Sequence, residues 1–209
     1  MIIKINELFN SISGEYSPFG QGCTTTFLRL SGCNLKCFYC DTDHSGFTEH
    51  DMGVFVPELL QMYSCTDNLC ITGGEPLLQL TAVEEITKFI PNVWIETNGT
   101  VDFNSLIGKT PLVVDYKIDY YKGEIPQRFH YLTEKDCIKF VIFSKSDFNL
   151  ALEVHKMLKR IIPETKFAYS PVHDAQKKTN LVSHVIGTLE KEHLTGIINL
   201  QIHKYFNLK

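Results

Sequence analysis

The sequence predicts an α/β fold in which parallel strands alternate with helices, and three observations carry that reading. Seven short apolar runs are rich in Ile, Val, Phe and Leu, as strands buried on both faces are. Stretches with helical apolar spacing lie between several of them. Each run also ends in residues able to bind or react, which in a parallel barrel converge on one mouth.

In chain order, the strands are expected over residues 25–30, 68–71, 92–95, 112–114, 137–143, 166–169 and 197–202. Helices are expected over 57–62, 82–90, 147–161 and 181–189, the last from the spacing of Leu181, Val185 and Leu189. The first strand carries Phe27 and Arg29 and runs into a cysteine loop. The second ends in Thr72-Gly73-Gly74-Glu75, the third in Glu96-Thr97-Asn98 and the fourth in Asp115-Tyr116-Lys117. Later runs end at Ser144, at Ser170-Pro171 and over Gln201 to Lys204. Alternating strands and helices allow an open doubly wound sheet or a complete or partial (β/α) barrel, and the reactive strand ends favour the barrel.

With 209 residues and a hydrophobic fraction of 44%, one domain spanning 1–209 is expected, and no repeat or Pro/Ser-rich linker divides it. A net charge of −4 without any Lys/Arg run argues against a nucleic-acid partner. No stretch approaches the roughly 18 apolar residues of a membrane span, and the first residues lack a secretory leader's pattern, so the expected location is cytoplasmic. Seven cysteines, three of them within eight residues, suit metal ligation in a reducing compartment better than a disulfide framework.

Those three are Cys33, Cys37 and Cys40, spaced C-x3-C-x2-C. A cubane iron–sulfur cluster normally takes four thiolates, so three leave one iron open to a cofactor or substrate. Phe38 and Tyr39 are placed to shield such a cluster. A zinc site of three cysteines and His44, or simple burial, are the competing readings of the same spacing. Cys23, Cys65, Cys70 and Cys137 lack ligand spacing.

C-x3-C-x2-C with an aromatic residue before the last cysteine resembles the signature of the radical S-adenosylmethionine (SAM) superfamily, and Gly73-Gly74-Glu75-Pro76 resembles its GGEP motif. The stretch from Ile5 to Glu15 is similar to the opening of the 7-carboxy-7-deazaguanine synthases, with Ser13 and Tyr16 where glutamine and glycine usually flank the Gly-Glu pair. Phe27 to Leu30, Cys40-Asp41-Thr42, Glu96 to Thr100 and Leu200 to Tyr205 extend that resemblance over most of the chain.

The resemblance implies an incomplete (β/α) barrel of the radical SAM type. The implied activity is that of a carbon–nitrogen lyase, turning 6-carboxy-5,6,7,8-tetrahydropterin into 7-carboxy-7-deazaguanine on the route to queuosine-type deazapurines. It implies a [4Fe–4S] cluster on Cys33, Cys37 and Cys40; SAM against Gly73, Gly74, Glu75, Glu96 and Lys117; and Mg2+ at Thr42. Glu15, Arg29, Thr72 and His203 become the substrate residues, with Glu15 facing the pterin's guanidine-like edge and Arg29 its carboxylate. An external reductase or flavodoxin-type electron donor and a homodimer are the implied partners. A glycyl-radical activase and a noncatalytic iron–sulfur or zinc protein are the alternatives. Taken singly, Glu15, Arg29 and Lys117 also suit structural ion pairs, Thr42 a turn cap and His203 a structural histidine.

Overall fold

The computed structural model describes residues 1–40, 42–43, 46–172 and 181–208; His44 and Asp41 lie outside them. Its strands are β1 (Ile2–Ile12), β2 (Thr24–Leu30), β3 (Thr48–Asp51), β4 (Leu69–Gly73), β5 (Val93–Thr97), β6 (Leu112–Asp115), β7 (Cys137–Ile142), β8 (Lys166–Pro171) and β9 (Ile197–Ile198). They form one sheet in the order β3-β1-β2-β4-β5-β6-β7-β8-β9, and it does not close on itself. From β2 to β9 every pairing is parallel, as expected. Two strands outside the expected set, β1 and β3, add an antiparallel wing.

The helices are α1 (Met52–Tyr63), α2 (Leu80–Thr87), α3 (Ile118–Tyr121), α4 (Lys145–Ile161), α5 (Leu181–Lys191) and α6 (Ile202–Tyr205). The first begins five residues before the sequence expectation, because Asp51 caps it by accepting from Gly53 N at 2.9 Å and Pro57 sits inside it. Ser144 and Asp147 form a capping box at the start of α4. The last expected strand, 197–202, is cut to two residues. Its second half turns into α6, so His203 stands on a one-turn helix rather than at a strand end.

Alternation along the parallel strands sends one set of side chains out to the helices and the other inward. Outward residues such as Leu28, Ile71, Ile95, Val114, Phe140 and Tyr169 join α1, α2, α4 and α5 in the larger core. Cys70, Trp94, Val113, Cys137 and Ala168 form a second, inner core, with Phe27 and Ile197 against it. Two residues further along each strand the same face carries Thr72, Glu96, Asp115, Lys139 and Ser170, with Arg29 and Asn199 completing the series. One step of the pleat therefore turns an apolar floor into a polar rim, at the strand ends where the cysteine loop begins.

Residues 13–23, between β1 and β2, bridge to the segment after β9. Gly14 O accepts from Ile202 N at 2.8 Å, Tyr16 N donates to Asn199 Oδ1 at 2.5 Å, and Gln21 Nε2 donates to Leu200 O at 2.6 Å. These bonds carry Glu15 onto the polar rim from outside the parallel strands.

Candidate active site

Gly73 and Gly74 set the distance between β4 and the cysteine loop. Gly73 has φ +148°, and a Cβ there would lie 2.1 Å from Leu30 O. A Cβ on Gly74 would lie 2.3 Å from Gly32 O and 2.6 Å from Cys33 Cβ. Only glycine permits this approach, and Gly74 N and Glu75 N use it to donate to Leu30 O and Gly32 O at 3.3 and 2.9 Å.

Glu75, expected with the two glycines at SAM, sends its side chain into the protein. Its carboxylate is fully buried and turned away from the cavity, accepting from Leu77 N, Thr97 Oγ1 and Asn98 N at 2.7–3.0 Å. It joins the GGE turn to the Glu96-Thr97-Asn98 stretch. Asn98 continues the connection, donating to Asn34 Oδ1 at 3.0 Å and lying 3.8 Å from Cys33 Sγ.

Cys33, Cys37 and Cys40 are all free thiols on this supported loop, and Cys40 is exposed. They line a cavity of about 220 Å³ with Glu15, Thr42, Thr72, Gly73, Gly74, Glu96 and Lys117. Among the described residues, no three Cys, His, Asp or Glu side chains are gathered as ligands of one metal ion. A cubane makes a different demand, since each thiolate binds its own iron, whereas zinc would draw its sulfurs to about 2.3 Å from a single centre. Three free thiols on one loop, lining a cavity with Gly73, Gly74 and charged side chains, fit a cluster with one open iron.

A second cavity, of about 520 Å³, shares Glu15, Thr42, Thr72, Gly73 and Glu96 with the first and adds Arg29 and His203. The expected cluster, SAM, metal and substrate residues thus meet in two adjoining spaces, Glu75 excepted. Arg29 Nη1 donates to Thr42 Oγ1 at 2.7 Å, and its Nε lies 3.2 Å from Glu7 Oε2.

The charges between the cavities form one network. Asp115 reaches Lys117 Nζ at 2.7 Å through one oxygen and Lys139 Nζ at 3.1 Å through the other. Lys139 Nζ also lies 2.9 Å from Glu15 Oε2. Burial opposes the charge on both lysines, but Asp115 reverses that and holds both above the ordinary lysine range. Burial likewise pushes Glu15 up; Lys139, Gln201 and Asn199 overcome it and bring the carboxyl down to about 2. Glu96 stays raised, because burial is joined by the charges of Glu15 and Asp115 and outweighs Lys139 and the Thr72 hydroxyl. Three carboxylates against two ammonium groups leave Glu96 the least compensated of the set.

Sequence reasoning missed Lys139 and Asn199 as site residues, and named Ser170 only as a strand end. The available signal was a lysine within the apolar run Cys137–Ile142, since buried lysines are rare unless paired.

No family model matches the sequence. Among curated proteins, the 7-carboxy-7-deazaguanine synthase of Methanospirillum hungatei is 32% identical, over 99% of this chain and 86% of that protein. That of Clostridium acetobutylicum is 31% identical, over 98% and 96%. Among solved structures, the crystal structure of QueE from Escherichia coli superposes with a TM-score of 0.71 at 20% identity, covering 96% of this chain and 94% of that one, a likeness of fold. The sequence identity, sustained over nearly the whole of both chains, shows that this chain belongs to the 7-carboxy-7-deazaguanine synthase family.

Proposed function

We propose that this chain converts 6-carboxy-5,6,7,8-tetrahydropterin to 7-carboxy-7-deazaguanine with loss of ammonia, using a [4Fe–4S] cluster, SAM and Mg2+. The observation that carries the reading is the adjoining pair of cavities, in which a three-cysteine loop faces a rim of charged inward side chains. When bound, the cluster and SAM supply a radical able to abstract hydrogen from carbon, chemistry that no side chain here provides.

The protein's own groups then divide the work. Cys33, Cys37 and Cys40 hold the cluster, with Gly73, Gly74, the Glu96 carboxylate and the Lys117 ammonium set about SAM. Glu75 positions that turn from behind. Thr42 is the oxygen ligand for Mg2+, an ion that takes few protein oxygens and keeps places for water and substrate. Arg29, released from Thr42, pairs with the substrate carboxylate, while Glu15, Thr72 and His203 bound the pterin. The apolar layer under the rim excludes water from below.

The reading treats 1–209 as one catalytic domain working in the cytoplasm; no helix among the described residues is long and apolar enough to cross a membrane. An external flavodoxin-type reductase would deliver its electron where Cys40 is exposed beside Phe38, which stacks edge-on against Phe143 at 5.3 Å. Homodimer assembly follows from the family resemblance, and light scattering tests it.

The decisive experiment is anaerobic reconstitution with iron and sulfide, then incubation with SAM, dithionite, Mg2+ and 6-carboxytetrahydropterin under mass-spectrometric detection. 7-Carboxy-7-deazaguanine is the expected product. 5′-Deoxyadenosine without it would overturn the substrate, and an intact cluster that leaves SAM uncleaved would overturn the reaction class.

A further inference from the structure

We propose that Lys139 is the positioning residue of the substrate subsite, holding the Glu15 carboxylate so that one oxygen, Oε1, is left to accept a hydrogen bond from an N–H of the pterin ring. The inference deepens the pterin reading above and rests on it. Oε2 of Glu15 takes Lys139 Nζ at 2.9 Å and Asn199 Nδ2 at 3.0 Å. Among the described residues, Oε1 takes Gln201 Nε2 alone, at 2.8 Å. A carboxylate oxygen accepts about two hydrogen bonds, so Oε2 is filled and Oε1 retains one place. The Glu15 side chain keeps 21% of its surface accessible and lines both cavities, so that place is open to a ligand.

Lys139 is suited to this task by where it stands. It projects from the inner face of β7, two residues beyond buried Cys137, with its side chain 10% exposed. Two of its three donors are spent on Glu15 Oε2 and Asp115 Oδ1. Because the other oxygen of Asp115 holds Lys117, Lys139 also joins the SAM side of the site to the substrate side.

The chemistry at stake is the acceptor character of Glu15. The 2-amino group and N3–H of a pterin are donors, and a protonated carboxyl would set its own O–H against them. Charged groups face Glu15 from several elements: Lys139 from β7, Asp115 and Lys117 at the end of β6, Glu96 from β5, and Lys204 at the cavity edge. Burial opposes its ionisation, Glu96 repels it, and Lys139 is the cation in direct contact. Removing that cation leaves burial opposed only by the hydrogen bonds from Asn199 and Gln201, which moves Glu15 toward its protonated form.

The test compares K139M, K139R, E15Q and the double variant E15Q/K139M in cluster-loaded, SAM-bound enzyme, with 6-carboxypterin as a nonreacting probe. K139M is expected to weaken probe binding and raise KM roughly 10- to 100-fold at neutral pH, while kcat and SAM affinity stay within about threefold. The lost affinity should return as pH rises and Glu15 ionises. K139R should preserve binding, and E15Q/K139M should bind no more weakly than E15Q. Infrared spectroscopy of K139M should show a protonated carboxyl band at neutral pH that is absent from the parent and from E15Q/K139M. Absence of that band, a pH-independent loss, or an equal loss of SAM and probe affinity would overturn the proposal. If K139M fails to fold, weaker probe binding by E15Q/K139M than by E15Q does the same. Failure of the parent enzyme to bind 6-carboxypterin would instead refute the pterin reading, and the infrared comparison would still decide the role of Lys139.

Discussion

Gly14 and His203, at opposite ends of the chain, are in contact so close that a Cβ on Gly14 would lie 2.0 Å from His203 Nδ1 and 2.6 Å from His203 Cβ. Ring rotation alone cannot relieve the second distance, so α6 itself would have to move. Gly14→Ala is therefore expected to displace His203 and lower kcat/KM for the pterin by up to roughly 100-fold, as misplacement of about an ångström can do. The cluster should assemble normally. Adding His203→Gly removes the Cβ as well as the ring and makes room for the methyl group, so G14A/H203G should perform no worse than H203G; a further large loss would count against this account.

Gly74→Ala drives a methyl group into Gly32 and Cys33. We expect less bound iron and sulfide per chain after reconstitution, together with about 1–3 kcal/mol of lost stability from overpacking. Iron analysis and chemical denaturation of the same preparation measure both. Full cluster occupancy in G74A would mean that the loop is not held by this contact.

The cysteines should separate into two groups. Replacing Cys33, Cys37 or Cys40 by Ala should abolish cluster assembly and SAM cleavage. Cys70 and Cys137 are fully buried, and burial raises both thiols, Cys137 to about 12. C70A and C137A should keep the cluster and lose only about 1 kcal/mol each, the cost of a small cavity. Visible absorbance after anaerobic reconstitution distinguishes the groups.

His155 makes the fold sensitive to acid. It is buried against Phe167 with ring centroids 3.9 Å apart; Nδ1 pairs with Tyr169 OH at 2.8 Å, and Nε2 has no partner among the described residues. Burial, aided by Lys159, lowers its pKa from 6.5 to about 4. The unfolded chain therefore takes up the proton first. This contribution to stability is complete above pH 6.5, falls as pH drops from 6.5 to about 4, and levels off below, a loss of roughly 3 kcal/mol. Denaturation of the parent and of H155Q across that range should show a shallower slope in the variant. Equal slopes would remove His155 as the cause.

The strands legible from sequence were those buried on both faces, because a continuous apolar run needs no knowledge of its neighbours. β1 escaped because it is half-exposed along most of its length, with Asn6, Glu7, Asn10 and Ser11 breaking the pattern, and β3 because Thr48–Asp51 is wholly polar. The overlong last strand arose from the alternation of Ile198, Leu200 and Ile202, which a turn joined to Gly14 interrupts. At the site, the cysteine and double-glycine motifs were readable because their spacing is local. Neither the direction of the Glu75 side chain nor the meeting of Glu15 with Lys139 and Asn199 is local, since both depend on strands far apart in the chain. What does survive in sequence is the inward pairing of an apolar residue with a polar one two places later, as in Trp94 and Glu96, Val113 and Asp115, and Cys137 and Lys139.

Trp94 and the residues around it close the chamber from beneath, so both ligands enter and leave on the side where the strands end. The two spaces share Glu15, Thr42, Thr72, Gly73 and Glu96, so whichever molecule fills one becomes part of the wall of the other, and SAM and the pterin should each alter the grip on their neighbour.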